Sequence, residues 1–104
     1  MNKAIIVGRL GENAEVIKLN NDKIMVKLIV ATRDRDEVDW HQVKVVNHGL
    51  ALTCQKCPKG QLISVSGSIK TKSYVDSNGK KQYSTYILAE EVNFLSPLSK
   101  NEDK

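Results

Sequence analysis

Basic and aromatic side chains concentrate in residues 68–86, with the sequence SIKTKSYVDSNGKKQYSTY. Lysine ammonium groups can neutralise phosphates, and flat rings can stack on unpaired bases. The side chains that fit this chemistry are Lys70, Lys72, Lys80, Lys81, Tyr74, Tyr83 and Tyr86. The stretch is therefore a candidate binding surface for a nucleic-acid strand, although an ordinary hairpin with a solvated basic face has the same pattern.

The first half of this stretch belongs to a longer alternating run, residues 62–75. Its apolar members on one parity are Ile63, Val65 and Ile69. Its polar members on the other parity are Lys70, Lys72 and Tyr74. Since successive strand side chains point to opposite faces, we expect the apolar set to enter a core and the polar set to share the other face. Residues 76–79, DSNG, then predict a hairpin turn.

The only tryptophan, Trp40, lies in a second alternating run, residues 40–46. It shares its parity with Gln42 and Lys44, a polar neighbourhood for a core residue. We therefore predict that Trp40 is exposed beside a lysine and serves as a stacking platform. The preceding residues 33–39, RDRDEVD, are interpreted as a polar loop that is too acidic to hold a phosphate without its two arginines, so a solvated connection is the alternative.

The composition predicts one globular domain. A chain of 104 residues with 40% hydrophobic content is of the size that usually forms a single core, which we place at residues 1–98, with a short disordered end at 99–104. The net charge of +4 is a mild bias toward anionic partners. Between residues 41 and 89 there are seven lysines and one acidic residue, Asp76, so the basic character belongs to the second half of the fold.

Several function classes find no support in the residues. No apolar run is long enough to cross a bilayer, and the first ten residues lack the order of a signal peptide. This predicts a cytoplasmic protein with no membrane partner, or one whose targeting segment has been removed. Cys54 and Cys57 form a lone C-x-x-C that His41 and His48 do not complete, so we expect buried thiols, no metal and no cofactor. We find no catalytic constellation and expect no enzyme.

The order of elements indicates an all-β fold. Strands are predicted at residues 3–10, continuing or restarting at 14–19, and at 24–32, 40–46, 62–75 and in the return arm after residue 80, with a short helix at 47–57. This order is typical of a five-stranded OB-fold Greek-key barrel. The helix falls between the third and fourth strands, and the long basic hairpin joins the fourth and fifth.

Ordered blocks over most of the chain resemble one family, the bacterial single-stranded DNA-binding proteins. The blocks are NKAIIVGRLG at 2–11, AT at 31–32, DWHQV at 39–43, KG at 59–60 and the run at 64–74 with the pattern S-V-x-G-x-I-x-T-x-x-Y. The resemblance implies binding of single-stranded DNA without sequence specificity during replication, recombination and repair. It also implies a nucleoid-associated homo-oligomer, with a tetramer favoured and a dimer as the alternative.

The resemblance carries over to individual residues. Trp40 and Tyr74 match stacking aromatics, Lys70 and Lys72 match basic positions, and His41 matches a histidine at the oligomer interface. The full set of predicted DNA-binding residues is Trp40, Tyr74, Lys70, Lys72, Arg33, Arg35, Lys44, Lys80, Lys81 and Lys3.

Departures from the family pattern shape the expected function. Residues 33–39 lack a further tryptophan, and Val46 stands at the position of a stacking phenylalanine. The sequence stops at Lys104 without the acidic tail through which the family recruits replication and repair proteins, so it resembles either a truncated chain or a naturally tailless short form, whose recruiting role would be in doubt. Two alternatives remain open: a tailless primosomal replication-restart protein of the same fold, and an OB barrel that binds protein in an assembly.

Overall fold

Residues 1–96 are described by the computed structural model, and they form six β-strands and one α-helix. The strands are β1 (Ala4–Leu10), β2 (Glu15–Lys18), β3 (Ile24–Asp34), β4 (Glu37–Val45), β5 (Leu62–Val75) and β6 (Lys81–Phe94). The helix α1 covers His48–Cys54, and a short 3-10 turn covers Asn20–Asp22. The predicted disordered end, residues 99–104, lies outside the described residues.

Five strands close into a barrel. The sheet order is β1-β5-β6-β4-β3-β2, and β1 also pairs with β3, while β2 extends the sheet beyond β3. The strand β4 runs parallel to β6, and the other neighbours are antiparallel. Helix α1 lies between β4 and β5, which are the third and fourth barrel strands, and the long hairpin joins β5 to β6. The predicted OB fold is therefore confirmed.

The barrel closes where β1 meets β3. Arg9 pairs with Ala31 and Leu10 with Val30 at this junction. Gly8 permits the close approach, because a Cβ atom at this position would overlap the carbonyl oxygen of Ala31. The strand predicted at residues 3–10 therefore has a glycine at the point of closure, where another backbone approaches closely.

Inward-facing apolar residues form one core inside the barrel. Its largest fully buried side chains are Leu28, Ile63, Val26, Val30, Val43, Val45 and Val65. The alternation predicted for residues 62–75 is confirmed for Ile63 and Val65, but the prediction for Ile69 is wrong, since Ile69 is 45% exposed. β5 pairs with β1 only as far as Gly67, so beyond that point the hairpin leaves the barrel, and no other strand among residues 1–96 covers its inner face.

The prediction of a polar loop at residues 33–39 is also wrong. β3 runs to Asp34 and β4 starts at Glu37, with the pairs Arg33–Val38 and Asp34–Glu37 continuing the ladder. Arg35 takes the turn with φ of 59°. Both faces of this arm are exposed, so it carries no apolar alternation from which a strand could be predicted.

Helix α1 begins as predicted and ends earlier. The Asn47 side-chain oxygen accepts a hydrogen bond from the Leu50 amide at 3.0 Å, which satisfies a free N–H of the first turn. The helix ends at Cys54 and not at Cys57. Both thiols are free and buried, as predicted, and burial raises the pKa of each to about 11, so they stay protonated near neutral pH.

Two further findings apply to residues 1–96. No group of three or more His, Cys, Asp or Glu side chains is placed so that it could hold a metal ion. No helix in this part of the chain has the length and apolar character needed to span a bilayer.

Candidate nucleic-acid interface

One face of the sheet, turned away from the core, collects residues from four strands, and we call it the outer face. Directly paired residues share a face, so the register places Trp40 beside Ala31 and Lys44 beside Lys27. The same rule relates β4 to β6 and β6 to β5. The predicted DNA-binding residues on this face are Arg33, Trp40, Lys44, Lys70, Lys72 and Tyr74.

Trp40 has the geometry of a stacking platform. It is 63% exposed, which confirms the predicted exposure. Its neighbours toward β1 are small: Ala31 lies opposite on β3, and the six-membered part of the indole lies directly against Gly11. A Cβ atom on Gly11 would overlap this ring. The indole therefore packs against the sheet surface, while most of it remains exposed and available to stack on a base.

Tyr74 is the second exposed ring of the outer face. It lies on β5 opposite Gln82, and it is 55% exposed. Because β4 and β6 are parallel and β5 is antiparallel to both, residues before Lys44 and residues after Lys70 lie toward the same end of the sheet. Trp40 and Tyr74 are therefore both displaced from these lysines in the same direction, and the two predicted platforms share one region.

Lys44 contacts Tyr86, which the sequence placed among the candidate aromatic side chains of residues 68–86 but not in the full set of predicted DNA-binding residues. Its Nζ lies 4.1 Å from the centroid of the Tyr86 ring, within the range of a cation–π interaction. The sequence indicated that Lys44 and Trp40 share a face, but it contains no local signal that β4 and β6 are neighbours. The alternation of side chains along β6 could indicate which face Tyr86 lies on, but it could not indicate that Lys44 is its neighbour.

The hairpin tip is organised by its one carboxylate. Asp76 Oδ1 accepts hydrogen bonds from the Lys80 and Asn78 amides, both at 2.9 Å, and Oδ2 accepts one from Gln82 Nε2 at 3.1 Å. These hydrogen bonds lower the pKa of Asp76, and the bond from the Lys80 amide has the largest effect. Desolvation of the carboxylate opposes this shift in pKa. Gly79 has φ of 80°, which suits the predicted Asn-Gly turn. The carboxylate thus serves the turn and forms no ion pair with the hairpin lysines.

The lysines at the tip are separated from the outer face. Lys81 is paired with Val75, which places it on the opposite side of the hairpin from Tyr74. Its Nζ lies 5.9 Å from the centroid of the Tyr83 ring, which shares that side. Lys80 lies in the turn itself. The hairpin consequently presents a lysine and an aromatic ring on each of its sides.

The predicted arginines occupy different surroundings. Arg33 lies on the outer face, in a groove of about 480 Å³ that is shared with Trp40, Val38 and Arg9. Arg9 was not predicted; its guanidinium also donates to the Gly60 carbonyl oxygen at 2.9 Å. Arg35 instead lies at the tip of the β3–β4 hairpin, where its neighbours are three acidic residues, Asp34, Asp36 and Glu37.

Lys3 and His41 have other partners, although His41 lines the same cavity as Trp40. Lys3 Nζ is 3.4 Å from Glu90 Oε1, the only ion pair within residues 1–96. His41 Nε2 lies 2.8 Å from Thr32 Oγ1. The His41 side chain also lines a cavity of about 370 Å³ beside Ala4 and Ile6 of β1. The predicted interface role of His41 remains a prediction.

Comparison with known proteins places this geometry in a family. The family model described as "Single-strand binding protein family" matches residues 1–95. Among solved structures, the Plasmodium falciparum SSB in complex with ssDNA has a TM-score of 0.83 and 24% identity, covering 92% of this chain and 96% of that one. The mitochondrial single-stranded DNA-binding protein Rim1 from S. cerevisiae has a TM-score of 0.71 and 22% identity, covering 89% and 93%.

These two structures support the fold, and neither is bacterial, so the specific resemblance to the bacterial members of the family remains a prediction. The match to the family model is evidence from the sequence, and it covers the residues that form the barrel and the outer face. The chain belongs to the single-strand binding protein family.

Proposed function

We propose that this protein binds single-stranded DNA without sequence specificity and protects it during replication, recombination and repair. The observation that carries the proposal is the outer face, where two exposed rings, Trp40 and Tyr74, lie among lysines contributed by different strands. Family membership supports it, and the structure of the Plasmodium falciparum relative was solved with ssDNA.

The chemistry of the outer face favours an unpaired strand. A ring can stack on a base only where the π-face of that base is free, and stacking is tolerant of sequence because every base has such a face. Lysines contact phosphates, which are the same at every position of the strand. A surface of rings and lysines therefore selects single strands over duplex and does not read sequence.

We also propose that the protein acts as a cytoplasmic, nucleoid-associated homotetramer, with a dimer as the alternative. The support is β1, whose outward side chains Ile5 and Val7 are exposed and apolar. β1 pairs with β3 only at Arg9 and Leu10, so the first part of its edge is free to pair with another chain. Light scattering at several protein concentrations would give the mass of the assembly.

The first experiment is a titration of Trp40 fluorescence with oligo-dT and with a duplex of equal length, at low and moderate salt. We expect strong quenching by the single strand alone, which decreases as salt rises. No change with either nucleic acid, from a folded protein, would contradict the proposal and favour an OB barrel that binds protein.

Lysine substitutions separate phosphate contacts from stacking. Lys70→Ala and Lys72→Ala should each reduce the slope of log affinity against log salt by about 0.7, the value per phosphate contact on single strands. Lys56→Ala is the matched control, because Lys56 is exposed just after α1 and lies beside Asn13 and Pro58. An unchanged slope in both outer-face variants would exclude them as phosphate contacts.

A further inference from the structure

We propose that the outer face carries a second phosphate-binding element, a row formed by Lys27, Lys44, Tyr86 and Lys70 that crosses the sheet. This lysine row rests on the proposed function, since its ligand is the backbone of the same single strand. Lys27 is the new residue in it, and Tyr86 has a new role, which is to hold Lys44 in place.

The row begins with two lysines that face each other. Lys27 on β3 is directly paired with Lys44 on β4, and like charges in that position destabilise a sheet. Within residues 1–96, neither ammonium group has a carboxylate oxygen within 4.0 Å, even though Glu15 is paired with Lys27 from β2. Two adjacent half-buried cations without a counter-ion are suited to an anionic ligand.

Tyr86 connects this pair to the hairpin. Lys44 Nζ lies 4.1 Å from the centroid of its ring, so one face of the ring is occupied by a cation. Tyr86 is itself directly paired with Lys70 on β5. The ring therefore lies between two lysines and orients Lys44, while positive charge continues from β3 through β4 and β6 to β5.

The lysines of the row are displaced from the stacking platforms along the strands, whereas Tyr86 lines the same cavity as Trp40. Lys44 is four residues after Trp40, and Lys70 is four residues before Tyr74. At about 3.3 Å per residue, each separation is about 13 Å. A short oligonucleotide stacked on Trp40 and Tyr74 has no need to reach the row, whereas a longer strand can continue onto it. The contribution of the row should therefore depend on oligonucleotide length.

The test measures binding of an oligo-dT length series to Lys27→Gln and Lys44→Gln at several salt concentrations. We expect each variant to lower the salt slope by about 0.7 with long oligonucleotides, and Lys27→Gln to match the wild type with the shortest that bind. Lys56→Gln, which removes the same charge elsewhere, should match the wild type at every length. Thermal midpoints at or above that of the wild type would show that Lys27→Gln and Lys44→Gln are folded, since each removes one of two like charges that face each other.

Tyr86 is tested by two substitutions. Tyr86→Leu removes the ring under Lys44 and should weaken binding of long oligonucleotides by about two- to fivefold, as expected for one exposed cation–π contact. Tyr86→Phe keeps the ring and should bind like the wild type. Weaker binding by Tyr86→Phe as well would overturn the positioning role and assign the effect to the hydroxyl group.

The outcomes distinguish this inference from the proposed function. If Lys27→Gln and Lys44→Gln keep the wild-type slope at every length while oligo-dT still quenches Trp40, the lysine row is wrong and single-strand binding stands. If the wild-type protein binds no oligo-dT of any length, the proposed function fails, and the lysine row fails with it.

Discussion

Trp40 and Tyr74 differ in what supports them. The indole of Trp40 lies against Gly11 on the barrel wall, whereas Tyr74 stands on the part of β5 that pairs only with β6. Both rings are more than half exposed, so neither contributes to the core. Substitutions at these positions should therefore change binding and leave the stability of the barrel nearly unchanged.

Trp40→Ala and Tyr74→Ala should each weaken binding to oligo-dT by about 1–3 kcal/mol, the usual contribution of one stacked base. Fluorescence anisotropy of a labelled oligonucleotide measures the loss, and circular dichroism checks the fold. Trp40→Phe is the matched control, because it keeps a ring and should retain part of the affinity. Wild-type affinity in both alanine variants would exclude the stacking role.

Gly11→Ala should displace the Trp40 ring, since the added methyl group would occupy the position of the indole. The ring end can move at low cost, so we expect a folded protein whose tryptophan emission is shifted and whose oligo-dT affinity is reduced. Gly49→Ala in α1 is the control, since a Cβ there meets only Asn47 Oδ1 at ordinary contact distance. Unchanged emission from Gly11→Ala would mean that the indole does not rest on Gly11.

Individual strands could be predicted from the sequence where the alternation of apolar residues matches the burial of one strand face. The alternation of residues 62–75 and the DSNG turn correctly predicted the long hairpin, because a strand with one face on a core carries that pattern in its residues. The β3–β4 arm was missed, since a strand exposed on both faces needs no apolar residues. Ile69 was misplaced because alternation does not show where the neighbouring strand ends.

The Asp76 turn should be sensitive to acid. Its hydrogen bonds hold the folded-state pKa of Asp76 below the usual value of about 3.9, so its stabilising effect is present above that value and is lost as pH falls through the folded pKa. We expect NMR titration to give a lowered pKa and the Lys80 amide to lose protection from exchange over the same range. Asp76→Ala should lose that protection at neutral pH, and Asp76→Asn should keep part of it. A pKa at or above the usual value would contradict this role.

At the scale of the whole molecule, the outer face exists because the barrel joins segments that are far apart in the chain. Lys27, Trp40, Lys70 and Tyr86 lie on four strands, and the parallel pairing of β4 with β6 completes the set. Local patterns predict individual strands but not which strands are neighbours. The prediction that Trp40 and Tyr74 belong to one site therefore came from the family resemblance and not from periodicity. The Lys44–Tyr86 contact is outside that resemblance and required the structure.

Closure of the barrel at Gly8 should control the stability of the whole molecule. In Gly8→Ala the new methyl group would overlap the Ala31 carbonyl oxygen, a backbone atom that moves only if β1 separates from β3. We expect the free energy of unfolding to fall by about 1–3 kcal/mol or more, as for other overpacked interiors. Urea denaturation followed by Trp40 fluorescence measures this loss, and Gly49→Ala is again the matched control. A wild-type midpoint for Gly8→Ala would mean that the chain does not depend on a tight β1–β3 closure. A lowered midpoint with intact oligo-dT binding below the transition would show that the outer face tolerates a loosened closure.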